Sequence, residues 1–329
     1  MIIITGGAGF IGSNLLAGFL DAGVTDLVIS DEFGVGDKWR NISKHEVRDM
    51  MRPEHLMEFM DRHHDKIEMV YHMGGISSTT ETDADAVVAS NFALSRQLWG
   101  WCAKHGVRFV YASSVSTYGD GAAGFMDDET PEGLAKLRPL SPYGWSKLMF
   151  DRTVARIAAA KTEPMPPQWV GLKFFNVFGP NEYHKGDQRS VPSKLCPQVE
   201  AGAAVKLFRS TNAQYKDGGQ MRDFIYVRDC VAVMLWLYKT KNVSGIFNVG
   251  TGKARTFNDL ANAIFKSFGK PPKFQYIDMP PDLVSRYQNY TQADVSKLRA
   301  AGYGVPFTEL EDAIEDYVKT YLLSADRYR

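Results

Sequence analysis

The chain has 329 residues, and 38 basic side chains balance 38 acidic ones to a formal net charge of zero. That balance argues against a general polyanion binder such as a nucleic-acid partner, while leaving room for a local basic pocket around a phosphate. The three cysteines, Cys102, Cys196 and Cys230, stand at no metal or redox spacing, which fits a reducing, cytoplasmic setting better than secretion.

In chain order, residues 1–5 are apolar, lack a basic leader and run straight into glycines, so they predict a buried strand and not a signal peptide. Gly6, Gly9 and Gly12 then form G-x-x-G-x-x-G directly before an apolar helix over 11–22. A turn without Cβ atoms lets the backbone approach a pyrophosphate, and the helix N-terminus offers that anion unpaired N–H groups and a positive dipole end. A second strand over 26–30 ends at Asp31, where an acid usually bonds the adenosine ribose of NAD. Lys38, a little further on, could instead meet the 2′-phosphate of NADP. Each also has a plain reading, Asp31 as a strand-end cap and Lys38 as a solvated lysine.

A helix over 53–62, a strand over 68–72, a helix over 84–105 and a strand over 107–112 follow. The last strand runs into Y-A-S-S-V-S-T-Y-G at 111–119, where Ser113, Ser114, Ser116 and Thr117 offer hydroxyls. That is the C-terminal sheet edge, at which open α/β sheets bind ligands. A surface loop over 121–140 leads into a helix over 143–160, and a strand over 170–175 comes next. Tyr143 and Lys147 lie one turn apart and share a helix face. An ammonium near a phenol favours the phenolate, so Tyr143 can give or take a proton near neutral pH.

Strands alternating with helices imply βαβ units and a parallel sheet. The expected fold is α/β, a Rossmann-type doubly wound parallel sheet with a smaller, mixed α/β C-terminal substrate lobe. Residues 1–176 form the dinucleotide domain and 177–329 mainly the substrate lobe, with 222–250 returning to the first and the strand-like 222–227 joining the main sheet. The tail after 324 is expected to fray. No run approaches the ~20 apolar residues that cross a bilayer, so no membrane partner is expected. His63, His64 and the other histidines lack ligand spacing, and no metal site is expected.

Five pieces in order identify the chain as similar, over its whole length, to the extended short-chain dehydrogenase/reductase family. They are T-G-G-A-G-F-I-G at 5–12, Y-A-S-S at 111–114, F-N-V-F-G-P at 175–180, R-D-F-I-Y-V-R-D at 222–229 and F-N-V-G-T-G at 247–252. The resemblance implies that Ser114 polarises the reacting sugar oxygen, Tyr143 moves its proton, and Lys147 orders Tyr143 and the nicotinamide ribose. It implies dinucleotide contacts from Gly6, Gly9, Phe10, Ile11, Gly12, Asp31, Glu32, Lys38, Met73, Gly74, Gly75 and Asn91, beside Tyr143 and Lys147.

Within that family the chain most resembles the epimerases that invert C6″ of an ADP-glycero-manno-heptose for lipopolysaccharide. The pieces that carry this are I-S-S-T-T-E at 76–81, H-K-G at 184–186, K-L-F at 206–208, R-Y-Q-N-Y-T-Q-A-D at 286–294 and L-R-A-A-G-Y at 298–303. The resemblance implies a tightly held NADP, with NAD as the alternative, and a homo-oligomer, a pentamer being one form. It gives Lys185 the role of second acid/base, since a carbonyl that turns over in the pocket no longer points at Tyr143. It implies substrate contacts from Ser77, Ser114, Asn176, Lys185, Asp187, Lys194, Phe208, Arg222 and Tyr287. Lys194 and Arg222 are expected to lower the pKa of Lys185 by their charge. Lys185 as a plain loop lysine and Arg222 as an ion-pair partner remain open.

The sequence departs from that group at Met73-Gly74-Gly75, where Glu-Gly-Ala is usual, at Asp187 and Lys194, and in a longer loop before Tyr143. These departures touch substrate detail and leave the oxidoreductase core unaltered. Rival readings are another nucleotide-sugar epimerase, such as a UDP-hexose 4-epimerase, and a non-catalytic dinucleotide-binding redox sensor. Tyr143 and Lys147, which a sensor would not need, speak against the second.

Overall fold

The computed structural model describes residues 1–284 and 287–329, so Arg286 of the 286–294 motif lies outside the described residues. The chain opens with β1 (Ile2–Thr5), α1 (Phe10–Asp21), β2 (Leu27–Ser30) and β3 (Asp49–Met51). Next come α2 (Leu56–Arg62), β4 (Met69–His72), α3 (Ala84–Val87), α4 (Leu94–His105) and β5 (Arg108–Ser114). Then follow α5 (Pro131–Ala135), α6 (Pro142–Ala160), β6 (Trp169–Phe174), β7 (Asn176–Phe178) and α7 (Val191–Glu200). The chain continues through β8 (Val205–Phe208), β9 (Met221–Tyr226), α8 (Val227–Lys239), β10 (Gly245–Val249) and β11 (Ala254–Thr256). It ends with α9 (Phe257–Ser267), β12 (Phe274–Ile277), α10 (Pro281–Val284), α11 (Ser296–Ala300) and α12 (Leu310–Asp316).

Seven parallel strands lie in the order β10-β6-β5-β4-β1-β2-β3, the doubly wound arrangement. Both faces are covered, which is why β1 reads as an unbroken apolar run. Ile3 points into the layer holding Leu98, Trp99 and Leu148, while Ile2 and Ile4 point into the layer holding Leu15, Phe19 and Met234. Strand order reverses between β1 and β4, which opens a crevice at their C-terminal ends. The second lobe carries a three-stranded sheet, β11-β9-β7, and a parallel pair, β12-β8, packed on α7, α9 and α12. Among the described residues no helix is long and apolar enough to cross a membrane.

Four expectations need correction. Residues 222–226 of the 222–227 segment lie in β9, which pairs with β7 and β11 rather than with the main sheet, and β10 joins that sheet instead. An apolar strand reads the same in either sheet, because its partner is set by long-range pairing. The 121–140 stretch is not a bare surface loop. Glu129 accepts the Ile246 N–H at 2.5 Å and Asp127 the Asn248 N–H at 2.9 Å, so carboxylates stop the exposed edge of β10. The helix over 84–105 is interrupted by a widened π turn, Val88–Ala93. Finally, the tail is tied down: Asn181 Oδ1 accepts the Arg329 N–H, the Arg327 carbonyl accepts the Tyr183 hydroxyl, and Lys44 pairs with Asp326.

Candidate active site

The glycine turn sits at the mouth of the crevice. Gly6 has φ +64, and a Cβ there would stand 2.6 Å from the Gly74 backbone, so the β1 and β4 turns meet only because both are bare. At Gly12 a Cβ would come within 2.1 Å of the Gly6 carbonyl. Gly6, Gly9, Phe10, Ile11, Met73, Gly74, Gly75, Asp31 and Lys38 line one groove, whose side chains and bare amides fit a dinucleotide.

Asp31 is engaged by the protein itself. Its Oδ2 accepts the Ala8 N–H at 2.8 Å, and its Oδ1 accepts the Glu32 N–H at 2.7 Å and the Lys38 ammonium at 2.5 Å. Glu32 contributes its carbonyl to Lys38 and turns its side chain to solvent. Asn91, buried on the π turn, does not line the groove. Its amide holds Ile76 at both N–H and C=O, and it donates to Ser146, which fixes the Gly75–Ile76 backbone against α6.

At the inner end of this groove a second cleft opens, lined by Ser77, Ser114, Tyr143, Lys147, Asn176 and Lys185 among others. Ser114 ends β5 and its hydroxyl oxygen accepts the Ser116 N–H, while Ser141 caps α6 so that the helix starts one residue before Tyr143. Burial pushes the Tyr143 phenol up from its ordinary value, and a hydrogen bond with Ser114 works the other way. Burial pulls Lys147 down to about 8, with Asp151 opposing.

Asp151 lies on the same face of α6, one further turn along, and is fully buried with Lys173 of β6 at 2.7 Å. Asp151 also accepts the Tyr111 and Ser113 hydroxyls, and Lys173 donates to Thr117. This buried pair underpins the serine-bearing strand end, and the sequence reading missed it. A lysine inside the otherwise apolar run V-G-L-K-F-F was the available signal.

The turn Tyr183–Gln188 brings Lys185 to the junction of the two grooves, its ammonium 5.6 Å from the centre of the Phe10 ring. Burial lowers the Lys185 pKa and Glu182 raises it. Lys194 and Arg222 are not the cause: Lys194 is exposed on α7, and desolvation does the lowering. Asp187 is likewise exposed and outside the cleft, whereas Gln188 and Arg189 line it. His184, which the sequence reading left without a role, faces the dinucleotide groove and is lowered to about 4 by burial, Lys38 and Lys185. Arg222 is buried with its guanidinium carbon 4.9 Å from the Tyr287 ring centre, and Tyr287 meets Phe208 edge-on at 6.3 Å. Three predicted substrate residues thus form one stack, beside the Phe257 that lines the cleft.

The model of the NAD dependent epimerase/dehydratase family matches residues 2–250. An ADP-L-glycero-D-manno-heptose-6-epimerase of Nitratidesulfovibrio vulgaris is 47% identical over 329 residues, covering 99% of each chain. The crystal structure of the Helicobacter pylori ADP-L-glycero-D-manno-heptose-6-epimerase superposes with a TM-score of 0.79 at 27% identity, covering 97% of this chain and 95% of that one. A UDP-glucuronic acid 4-epimerase from Bacillus cereus, in complex with UDP-glucuronic acid and NAD, gives 0.76 at 26% identity and covers 97% and 99%.

Proposed function

The chain belongs to the NAD dependent epimerase/dehydratase family, and we propose that it inverts C6″ of an ADP-glycero-manno-heptose by transient oxidation and re-reduction. The observation that carries this reading is that two proton-moving groups from different elements, Tyr143 on α6 and Lys185 on the 183–188 turn, line one cleft. A simple dehydrogenase needs one such group. A bound nicotinamide dinucleotide supplies the hydride acceptor and then the donor. Ser114 holds the sugar oxygen, Tyr143 takes its proton, and Lys147 keeps Tyr143 and the ribose in register. Once the carbonyl has turned over, Lys185 gives a proton to the oxygen from its new side.

NADP is the proposed cofactor form. The support is Lys38, which neutralises Asp31 on the dinucleotide groove and takes up its Oδ1 together with the Glu32 N–H, so that a cation stands where NAD binding would want a free acid. Cytoplasmic residence is proposed on the three buried free cysteines. A homo-oligomer is proposed with it, and light scattering on the purified protein checks that.

The deciding experiment incubates the enzyme with a single ADP-heptose epimer and follows the C6″ centre by NMR. Interconversion is expected, and it should be lost in Lys185→Met while bound cofactor is retained. Inversion of UDP-hexoses alone, or normal inversion by Lys185→Met, would defeat the reading.

A further inference from the structure

The loop that carries Lys185 is built around a buried acid for which the mechanism above has no use. Glu182 is 1% exposed, yet it borders the same cleft as Lys185 and Ser190. A buried carboxylate is costly unless donors satisfy it, and here they come from three places. The Gly179 N–H donates to Oε1 at 3.3 Å from the end of β7. Ser190 gives its hydroxyl to Oε1 at 2.6 Å and its N–H to Oε2. The Tyr317 phenol, in the turn that follows α12, donates to Oε1 at 3.2 Å. Gly179 and Ser190 bracket the loop, so one side chain gathers both of its ends, and Tyr317 pins them to the core of the second lobe. The Lys185 N–H donates to the Glu182 carbonyl at 3.1 Å, which sets the lysine one turn beyond the carboxylate.

We propose that Glu182 is a positioning residue for Lys185: its carboxylate clasps both ends of the loop and adds a negative charge to the turn that carries the Lys185 ammonium. The proposal rests on Lys185 being the second proton-moving group. The electrostatics run the same way. Burial raises the Glu182 pKa, while the Ser190 and Gly179 donors and the Lys185 charge lower it. Burial lowers Lys185 and Glu182 raises it. The other titratable groups around Glu182 are Tyr183 on its own turn, Tyr317, and Cys196 of α7, and burial pushes all three towards the neutral form. Among these neighbours Lys185 is the one that brings a positive charge. The function of Glu182 is to stop burial from stripping the proton off Lys185 too early, so that a donor is waiting when the carbonyl has turned.

Tyr143 is shifted up and Lys185 down, so the acid limb of the pH–rate profile belongs to Lys185. Glu182→Gln keeps the shape and removes the charge, and the acid limb should move to lower pH by about one unit, the low end for loss of a nearby opposite charge. Competitive acetylation of Lys185 across pH, read by peptide mass spectrometry on the purified holoenzyme, should show the same downward shift without substrate. Tyr317→Phe removes one donor from outside the cleft, leaves Glu182 harder to ionise, and should give a smaller shift in the same direction; it decides the matter if Glu182→Gln does not fold. Superposable limbs and labelling curves in both variants, with Lys185→Met inactive, would overturn the Glu182 assignment alone. Normal inversion by Lys185→Met would instead overturn the reading beneath it.

Discussion

Tyr143 shows how far one residue's surroundings tune its chemistry. Burial favours the protonated phenol and the hydrogen bond with Ser114 pulls the other way, so the readiness of Tyr143 to take the sugar proton depends on Ser114. Tyr143→Phe keeps the ring and loses the proton, so turnover should fall by about 10²–10⁴-fold. Thermal unfolding and the yield of nucleotide released on denaturation should be unchanged; near-normal turnover would remove Tyr143 from the mechanism. Lys38 carries a separate expectation. Replacing it with alanine frees Asp31 for a ribose and deletes the cation beside the 2′ position, so affinity for NADP should drop more than affinity for NAD. Titration calorimetry with both nucleotides tests this, and an equal loss for the two would count against it. Tyr143 and Lys147 were legible in the sequence because a spacing of four on a helix fixes a shared face. Glu182 and the Asp151–Lys173 pair were not, since the burial of a charge is decided by elements far away in the chain.

At the scale of elements, the β1–α1 turn is the part with the least freedom to vary. Gly12→Ala puts a methyl group 2.1 Å from the Gly6 carbonyl, and backbone cannot step aside as a flexible side chain would. The turn must open, which withdraws the amides from the pyrophosphate site, so both dinucleotides should lose binding by at least an order of magnitude while the sheet persists in circular dichroism. Retained cofactor in Gly12→Ala would show that the turn is not the anchor. The alternating βαβ pattern, the glycine turn and the serine-bearing edge could all be read from local sequence, because each depends on neighbours within one unit. The sheet that β9 joins, the carboxylates that stop the edge of β10 and the docking of the tail could not. Each of those depends on partners about 30 to 150 residues away, and the strand or loop looks the same with or without them.

For the whole molecule, stability answers to pH through groups whose pKa differs between the folded and unfolded chain, and burial makes that difference large. His72 ends β4 beneath the crevice. Its Nδ1 lies 2.7 Å from the Thr5 hydroxyl and its Nε2 2.9 Å from the Ser95 hydroxyl. Ser95 spends its own proton on the Asn91 carbonyl, so Nε2 donates to Ser95, and in the neutral ring Nδ1 accepts from Thr5. Burial, helped by the Lys147 charge, pulls the His72 pKa from 6.5 down to about 3. Between those two values the unfolded chain binds a proton that the folded one refuses. Acidification therefore favours unfolding, and this contribution to stability is intact above pH 6.5 and lost progressively towards pH 3. Buried carboxyls with raised values, such as Asp223 and Asp229, act in the opposite direction. The slope from His72 can reach about 1.4 kcal/mol per pH unit. His72→Gln keeps a donor and an acceptor and removes the titration. Urea unfolding of both proteins at pH 7.5, 6 and 5 should show the wild type losing stability relative to the variant at each step, and a constant difference would mean that His72 accepts a proton in the fold after all.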